Sequence, residues 1–437
     1  MTTPAPTGPP EPAGSRASWR PRRWTAVLLV ISATFAAWTF SPIWWSQVGQ
    51  DAKVYYAAGS LAQAGGDVYD PGQVFAEEDR LFPAGPGTPG LSHTTFAEPP
   101  LFVAALDLVA PLPLTRFHLF WLAFSATAAV GALVVLLAAM RWRGRALALA
   151  FLLTSPPMLL AVFVGNTSTI VLLGWSIALL LWTRQQPALA GTALGVICWL
   201  KPSVGMPIAA ALVLAGPAAD VGPRIRAAGG LILAAAGLLS LDAVVNGTGA
   251  LARWGGTLIG YASSLSSSRG STVFSANMSG LAGLPAIWLG SLSTPVSLGL
   301  ATLVLAAILL VAVRVSDLTA GIRESPTLGL ALLQTAALAL SPYLHFNDLV
   351  LAALPLLVLA SRPLNNLSRV TLILWAVASP ARLVLSALLA RLAPGVNYAV
   401  LPSTGIVLIT LTFAALLATL PRRGTRLGLP GTGAEAV

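Results

Sequence analysis

The chain has 437 residues, 56% of them hydrophobic and only 9% charged, with a mean hydropathy of +0.79. Soluble domains carry about 25% charged residues, so this composition excludes a water-soluble globular protein and points to a bilayer as solvent. The net charge of +10 does not signal nucleic acid, because the basic residues are scattered through short loops between apolar runs rather than gathered on one face. The single cysteine, Cys198, rules out an intramolecular disulfide framework and a cysteine-built zinc site.

Residues 1–18 are rich in Pro, Gly, Ser and Thr, and Arg16, Arg20, Arg22 and Arg23 precede the apolar run 24–45. We read 1–23 as a disordered, basic cytoplasmic N-terminus and 24–45 as an uncleaved first helix; a cleaved signal peptide is the rival reading. Residues 46–113 form the largest polar segment and hold eight of the fifteen acidic residues. This segment is expected to be the first extracytoplasmic loop, with short interfacial helices near 51–64 and 99–110.

The apolar runs then alternate with loops. Expected spans are 114–140, 146–164, 167–183, 187–200, 203–218 and 228–246, followed by 295–313, 326–341, 348–361, 369–390 and 399–420. With the first helix this makes about twelve, in a transmembrane domain over 24–420, and leaves 421–437 as a cytoplasmic tail. Loops assigned to the cytoplasm carry Arg141, Arg143, Arg145, Arg184, Arg224, Arg226, Arg314, Arg323, Arg362, Arg369, Arg422, Arg423 and Arg426. This excess of arginine sets the orientation by the positive-inside rule, in a cell membrane.

Ionisable residues beside the hydrocarbon are costly and mark sites. Asp51, Lys201, Arg269, His345, Asp348 and Arg391 all fall at the outer ends of expected spans and are candidates to converge on one outward cavity. Asp51 has two readings: an N-cap for the following helix, or a general base whose pKa is raised near apolar and aromatic groups. Lys201, Arg269 and Arg391 either snorkel or hold a phosphate. His345 lies three residues from Asp348, which favours a site over an isolated structural histidine. No phosphate-binding glycine loop and no His-Glu-x-x-His motif occurs, and no segment is available for a soluble ATP-binding domain.

Ordered motifs carry a resemblance. They are Asp51-Ala52-Lys53-Val54-Tyr55-Tyr56-Ala57-Ala58, Gly65-Gly66-Asp67-Val68-Tyr69-Asp70, Phe96-Ala97-Glu98-Pro99-Pro100-Leu101, and Gly165-Asn166. Ala190-Gly191-Thr192-Ala193-Leu194-Gly195, Lys201-Pro202, Asn277-Met278-Ser279 and Ser341-Pro342 with His345 complete the set. Together they resemble the GT-C glycosyltransferases, specifically glycosyltransferase family 87: actinobacterial polyprenyl-phosphate-mannose-dependent α-mannosyltransferases and related arabinofuranosyltransferases. The family usually has a tyrosine near position 97, where this chain has Ala97-Glu98. Its Asn-Gln-Ser reads Asn-Met-Ser here, and its Trp/His segment reads Leu344-His345-Phe346.

The resemblance implies an all-α polytopic GT-C-like bundle. It implies an inverting glycosyltransferase that moves a sugar, mannose above all, from a polyprenyl-phosphate donor to a glycolipid or lipoglycan acceptor outside the cytoplasm, without a cofactor or metal. Asp51 would be the catalytic base, assisted by His345. Lys201, Arg391 and Arg269 would hold the donor phosphate, and Tyr55, Tyr56, Asn166, Asn277, Ser279 and Asp348 would bind sugar or acceptor. An arabinofuranosyltransferase of the same fold, a lipid-linked-sugar transporter or flippase, and a non-catalytic scaffold remain as alternatives. A transporter would be expected to show inverted repeats, and none is evident in the sequence.

Overall fold

The computed structural model describes residues 50–83, 95–141, 145–215, 221–267, 279–281, most of 299–310, 325–341, 344–362, 365–376 and 404–420. The expected first helix, the basic N-terminus, the C-terminal tail, and Arg269, Asn277 and Arg391 lie outside them.

Among the described residues every regular element is a helix. The outer segment contains α1 (Gln50–Gln63), α2 (Pro71–Leu81) and α3 (Pro100–Val109). Then come α4 (Leu114–Ala139), α5 (Arg145–Leu153), α6 (Pro156–Val164) and α7 (Ser168–Thr183). They are followed by α8 (Pro187–Leu200), α9 (Pro202–Ala215), α10 (Val221–Asn246) and α11 (Thr248–Ser267). After α12 (Pro326–Leu340), a 3₁₀ helix over Phe346–Ala352 runs into α13 (Ala353–Ala360), and the chain continues through α14 (366–376) to α15 (Thr404–Leu417). Proline opens α2, α3, α6, α8, α9 and α12, where its missing N–H belongs to the unbonded first turn and its fixed φ suits a helix start.

Two described helices, α4 and α10, are long and apolar enough to cross a membrane. Both present bare apolar side chains outward, including Leu119, Phe120 and Phe124 on α4 and Ile232, Leu233 and Val244 on α10, a surface that suits lipid rather than water. The expected span 146–164 is divided into α5 and α6, because Pro156 starts a new helix after Thr154 and Ser155. α6 and α7 meet at an angle of 119°, so the chain reverses at Gly165-Asn166-Thr167. By length alone, α8, α9, α12, the 346–360 segment and α15 are shorter apolar helices.

The expected interfacial helices correspond to α1 and α3, but α2 and α11 were not anticipated. For α2 a local signal exists: Asp70 caps it, accepting a hydrogen bond from the Gly72 N–H at 2.9 Å, and Pro71 follows. α11 has mixed polarity and packs against α10 and α3, in a stretch where no span was expected.

The closest pairing in the bundle is α8 against α10. Gly191 and Gly195 on α8 face Gly230 on α10 across a seam too tight for side chains. A Cβ at Gly191 would run into the Ala227 carbonyl, and one at Gly195 would lie 2.6 Å from the Leu231 carbonyl. In a bilayer, small residues spaced four apart let backbones approach and gain van der Waals contact that lipid does not compete for. This accounts physically for the Gly191 to Gly195 motif and fixes the helix whose C-terminus carries Lys201.

Candidate active site

Four distant stretches converge at one end of the bundle: the first turn of α1, the α6–α7 reversal, the α8–α9 junction and the 3₁₀ helix before α13. Their hydrogen bonds form one continuous network.

Asp51 lies inside the first turn of α1, whose positive dipole end favours a carboxylate there. The helix already starts at Gln50, so Asp51 is not the N-cap; its Oδ2 instead accepts from Asn166 Nδ2 at 2.5 Å, across 115 residues. The position of Asn166 depends on Gly165, which ends α6 in the left-handed conformation at φ 79°. A Cβ at 165 would sit 2.7 Å from the Trp121 ring, and Trp121 Nε1 donates to the Gly165 carbonyl at 2.7 Å.

Asn166 Oδ1 accepts from the Ser168 N–H at 2.8 Å and from Lys201 Nζ at 3.0 Å. With its oxygen held by two donors, the amide nitrogen is the atom left to face Asp51. Lys201 donates also to Ser168 Oγ at 2.9 Å and to Asp348 Oδ1 at 2.6 Å. Asp348 is fully buried, and its Oδ1 also accepts from the Ser168 hydroxyl. Its Oδ2 accepts from the His345 N–H at 2.9 Å, while the His345 side chain accepts from the Asp348 N–H, a reciprocal capping box at the start of the 3₁₀ helix. A histidine that accepts on one ring nitrogen and is neutral carries its proton on the other. Burial lowers the His345 pKa and so favours the neutral ring.

Electrostatics single out Asp51. Burial pushes its pKa up to about 6; the Asn166 hydrogen bond and the Lys201 charge pull it back, and the Glu98 and Asp348 carboxylates push it further. A carboxylate whose pKa lies about one unit below neutral is mostly ionised there, yet basic enough for proton abstraction.

Glu98 was missed as a site residue. Burial raises its pKa, and it accepts from the Tyr55 hydroxyl at 2.7 Å. Tyr55 lies one helical turn after Asp51, so it brings the second carboxylate over the same face of α1. In the sequence Glu98 stood within the Phe96–Leu101 motif but carried no role, and its partner is what gives it one. The loop around it is held by Tyr69, whose hydroxyl donates to the Glu98 carbonyl at 3.0 Å, and by Trp254, whose indole N–H donates to the Ala97 carbonyl at 2.9 Å.

The structure also gives the surroundings of the other expected site residues. The three Lys201 protons all have protein acceptors, so this ammonium ties Asn166 to Asp348 rather than standing free for a phosphate. Asp348 is enclosed as its counter-ion instead of reaching a sugar. Tyr55 is 3% exposed, with its ring against Phe96, Phe102 and Trp121, and offers no free face for sugar stacking. Tyr56 packs on Phe117, and its hydroxyl donates to the Leu112 carbonyl at 3.2 Å, anchoring α1 to the start of α4. Ser279 is buried beside Leu344, whose carbonyl accepts its N–H at 2.5 Å, and its hydroxyl has no partner among the described residues. Among the described residues no group of three His, Cys, Asp or Glu side chains is arranged to hold a metal ion.

The described residues form an all-helical bundle with two helices long and apolar enough to cross a membrane, and a buried carboxylate of raised pKa at one end. Residues 96–342 match the model of glycosyltransferase family 87, more than half of the chain, and the chain belongs to that family of membrane glycosyltransferases. Asn166, Lys201 and Glu98 fall within the matched region, while Asp51, His345 and Asp348 flank it. Among curated proteins, none matches the chain.

Proposed function

We propose that this glycosyltransferase moves a sugar, most naturally mannose, from a polyprenyl-phosphate donor to a hydroxyl of a glycolipid or lipoglycan on the extracytoplasmic side of the cell membrane. It does so within a bundle of about twelve spans that has both termini in the cytoplasm. The observation that carries the reading is the Asp51 carboxylate, raised to about 6 and aimed by Asn166, in the outer segment of the chain.

Asp51 takes the proton of the acceptor hydroxyl as that oxygen attacks the anomeric carbon. The bond from the anomeric carbon to the phosphate oxygen breaks with inversion, and its electron pair stays on the lipid phosphate. His345 donates its ring N–H toward the departing phosphate, with Arg269 and Arg391 as the cations closest in expected depth. Lys201 and Asp348 hold Asn166 and His345 in place, and Ser279 and Asn277 are candidates for sugar hydroxyls. The arginine sorting supports the outer location, because nucleotide sugars are absent there and a lipid-borne donor is required.

The test is transfer of radiolabelled mannose from polyprenyl phosphate in membranes that contain the chain. Asp51→Asn keeps the hydrogen-bonding shape but loses the base, so transfer should fall by about 10²–10⁴-fold at unchanged protein level. Undiminished transfer by Asp51→Asn would remove Asp51 from the role. Transfer of arabinofuranose and not mannose would correct the sugar while leaving the mechanism intact.

A further inference from the structure

A cavity of about 410 Å³ opens on the far side of Tyr69 from Glu98, between the end of α1, the start of α3 and the α10–α11 corner. Its volume is in the range of small-ligand pockets, about 300–1,000 Å³. Asp67, Tyr69, Val103, Asn246, Ala250 and Arg253 are among its walls. None of them belongs to the network around Asp51.

The lining has the chemistry of a neutral polyhydroxyl ligand. Arg253 and Asp67 face each other at 3.1 Å, so the cavity offers a fork of donors and a pair of acceptors together. This pairing cancels the positive charge and disfavours a phosphate, which would meet the Asp67 carboxylate. Asn246 adds an amide side chain to the same lining. Val103, Ala250 and Val68 supply an apolar wall for the C–H face of a ring. The walls are held independently of any ligand: Thr257 Oγ1 donates to the Tyr69 carbonyl at 3.4 Å, and the Tyr69 hydroxyl reaches the Glu98 carbonyl.

We infer that this cavity is a saccharide subsite that holds a sugar unit of the acceptor beyond the one whose hydroxyl reacts. The inference rests on the glycosyltransferase reading of Asp51, because the Tyr69–Glu98–Tyr55 connection leads from the cavity to the face of α1 that carries that residue. An acceptor anchored here by one sugar unit would present its reacting hydroxyl to the site at a raised effective concentration.

The experiment uses the full chain with Arg253→Ala and, separately, Asn246→Ala. The Arg253 side chain is 55% exposed and its ion pair is a surface one, so its loss leaves the fold intact. Losing one charge-assisted hydrogen bond should raise the acceptor KM about 10-fold, with the donor KM and the saturated rate unchanged. A second readout does not need turnover: saturation-transfer NMR with an α-linked mannose disaccharide on detergent-solubilised wild type, Asp51→Asn and Arg253→Ala. Signal in the first two and its loss in the third is the expected result. An acceptor KM unmoved in both cavity variants, a donor KM that rises instead, or no disaccharide signal in wild type would overturn the subsite. Retained transfer by Asp51→Asn with disaccharide binding intact would sink the base reading alone.

Discussion

Replacing Asn166 with alanine isolates the electrostatics of the proposed base. The Asn166 amide donates to Asp51 at 2.5 Å, a hydrogen bond to the charged form of the acid. Such a bond contributes about 1.5–3 kcal/mol, and a pKa unit corresponds to about 1.4 kcal/mol, so removing it should raise the Asp51 pKa by about 1–2 units. From about 6 in the intact site the value moves to roughly 7–8. The base works ionised, so the acid limb of the pH–rate profile should shift upward by the same amount. At pH 6.5 the variant should be several-fold slower than wild type, and the two should converge as the pH passes about 9. The assay is the initial rate of sugar transfer in membranes between pH 5 and 9.5, normalised to protein level. An acid limb that stays in place or moves to lower pH would refute Asp51 as the titrating group. A uniform loss at all pH values would show that Asn166 acts by shape and not on ionisation.

Glu98→Gln should have the opposite sign: it removes a neighbouring negative charge that holds the Asp51 pKa up, so the acid limb should move to lower pH in the same assay. Lys201→Met leaves the fully buried Asp348 carboxylate unpaired and should cost about 3–5 kcal/mol, seen as a lower melting temperature in detergent; adding Asp348→Asn should recover most of it. Asp51 titrates with a folded pKa above its ordinary value, so its stabilising proton is fully held below pH 3.8 and lost as the pH rises through about 6. Asp51→Asn should therefore melt higher than wild type at pH 8, even as transfer is lost. Gly191→Ala drives a methyl into the Ala227 carbonyl and should destabilise the α8–α10 pair by about 1–3 kcal/mol; Gly131→Ala meets only a Leu173 methyl at 3.7 Å and should melt like wild type.

Much of the local architecture was legible in the chain itself. Apolar runs and leading prolines located α4 and α8 to within a residue, since an apolar stretch and a missing N–H act on their own segment. Two stretches were read differently, one for a reason of packing and one for a local reason that hydropathy passes over. α11 is a helix because it packs on α10 and α3, and 146–164 is divided at Pro156 within a run that hydropathy alone reads as continuous.

The site divides the same way. Asp51, Lys201, His345 and Asp348 stood out because charge beside hydrocarbon is expensive wherever the chain places it, so their depth could be read without knowing their neighbours. Their partners could not: Lys201 reads as a free cation until Asp348, 147 residues away, is found against it. Glu98 reads as a loop acid until Tyr55 and its own burial are seen. Composition and periodicity report how each segment meets its solvent, and this depends on the segment alone. Which carboxylate is ionised, and which amide aims it, depends on atoms that approach only when distant helices pack, and the tertiary structure alone decides that.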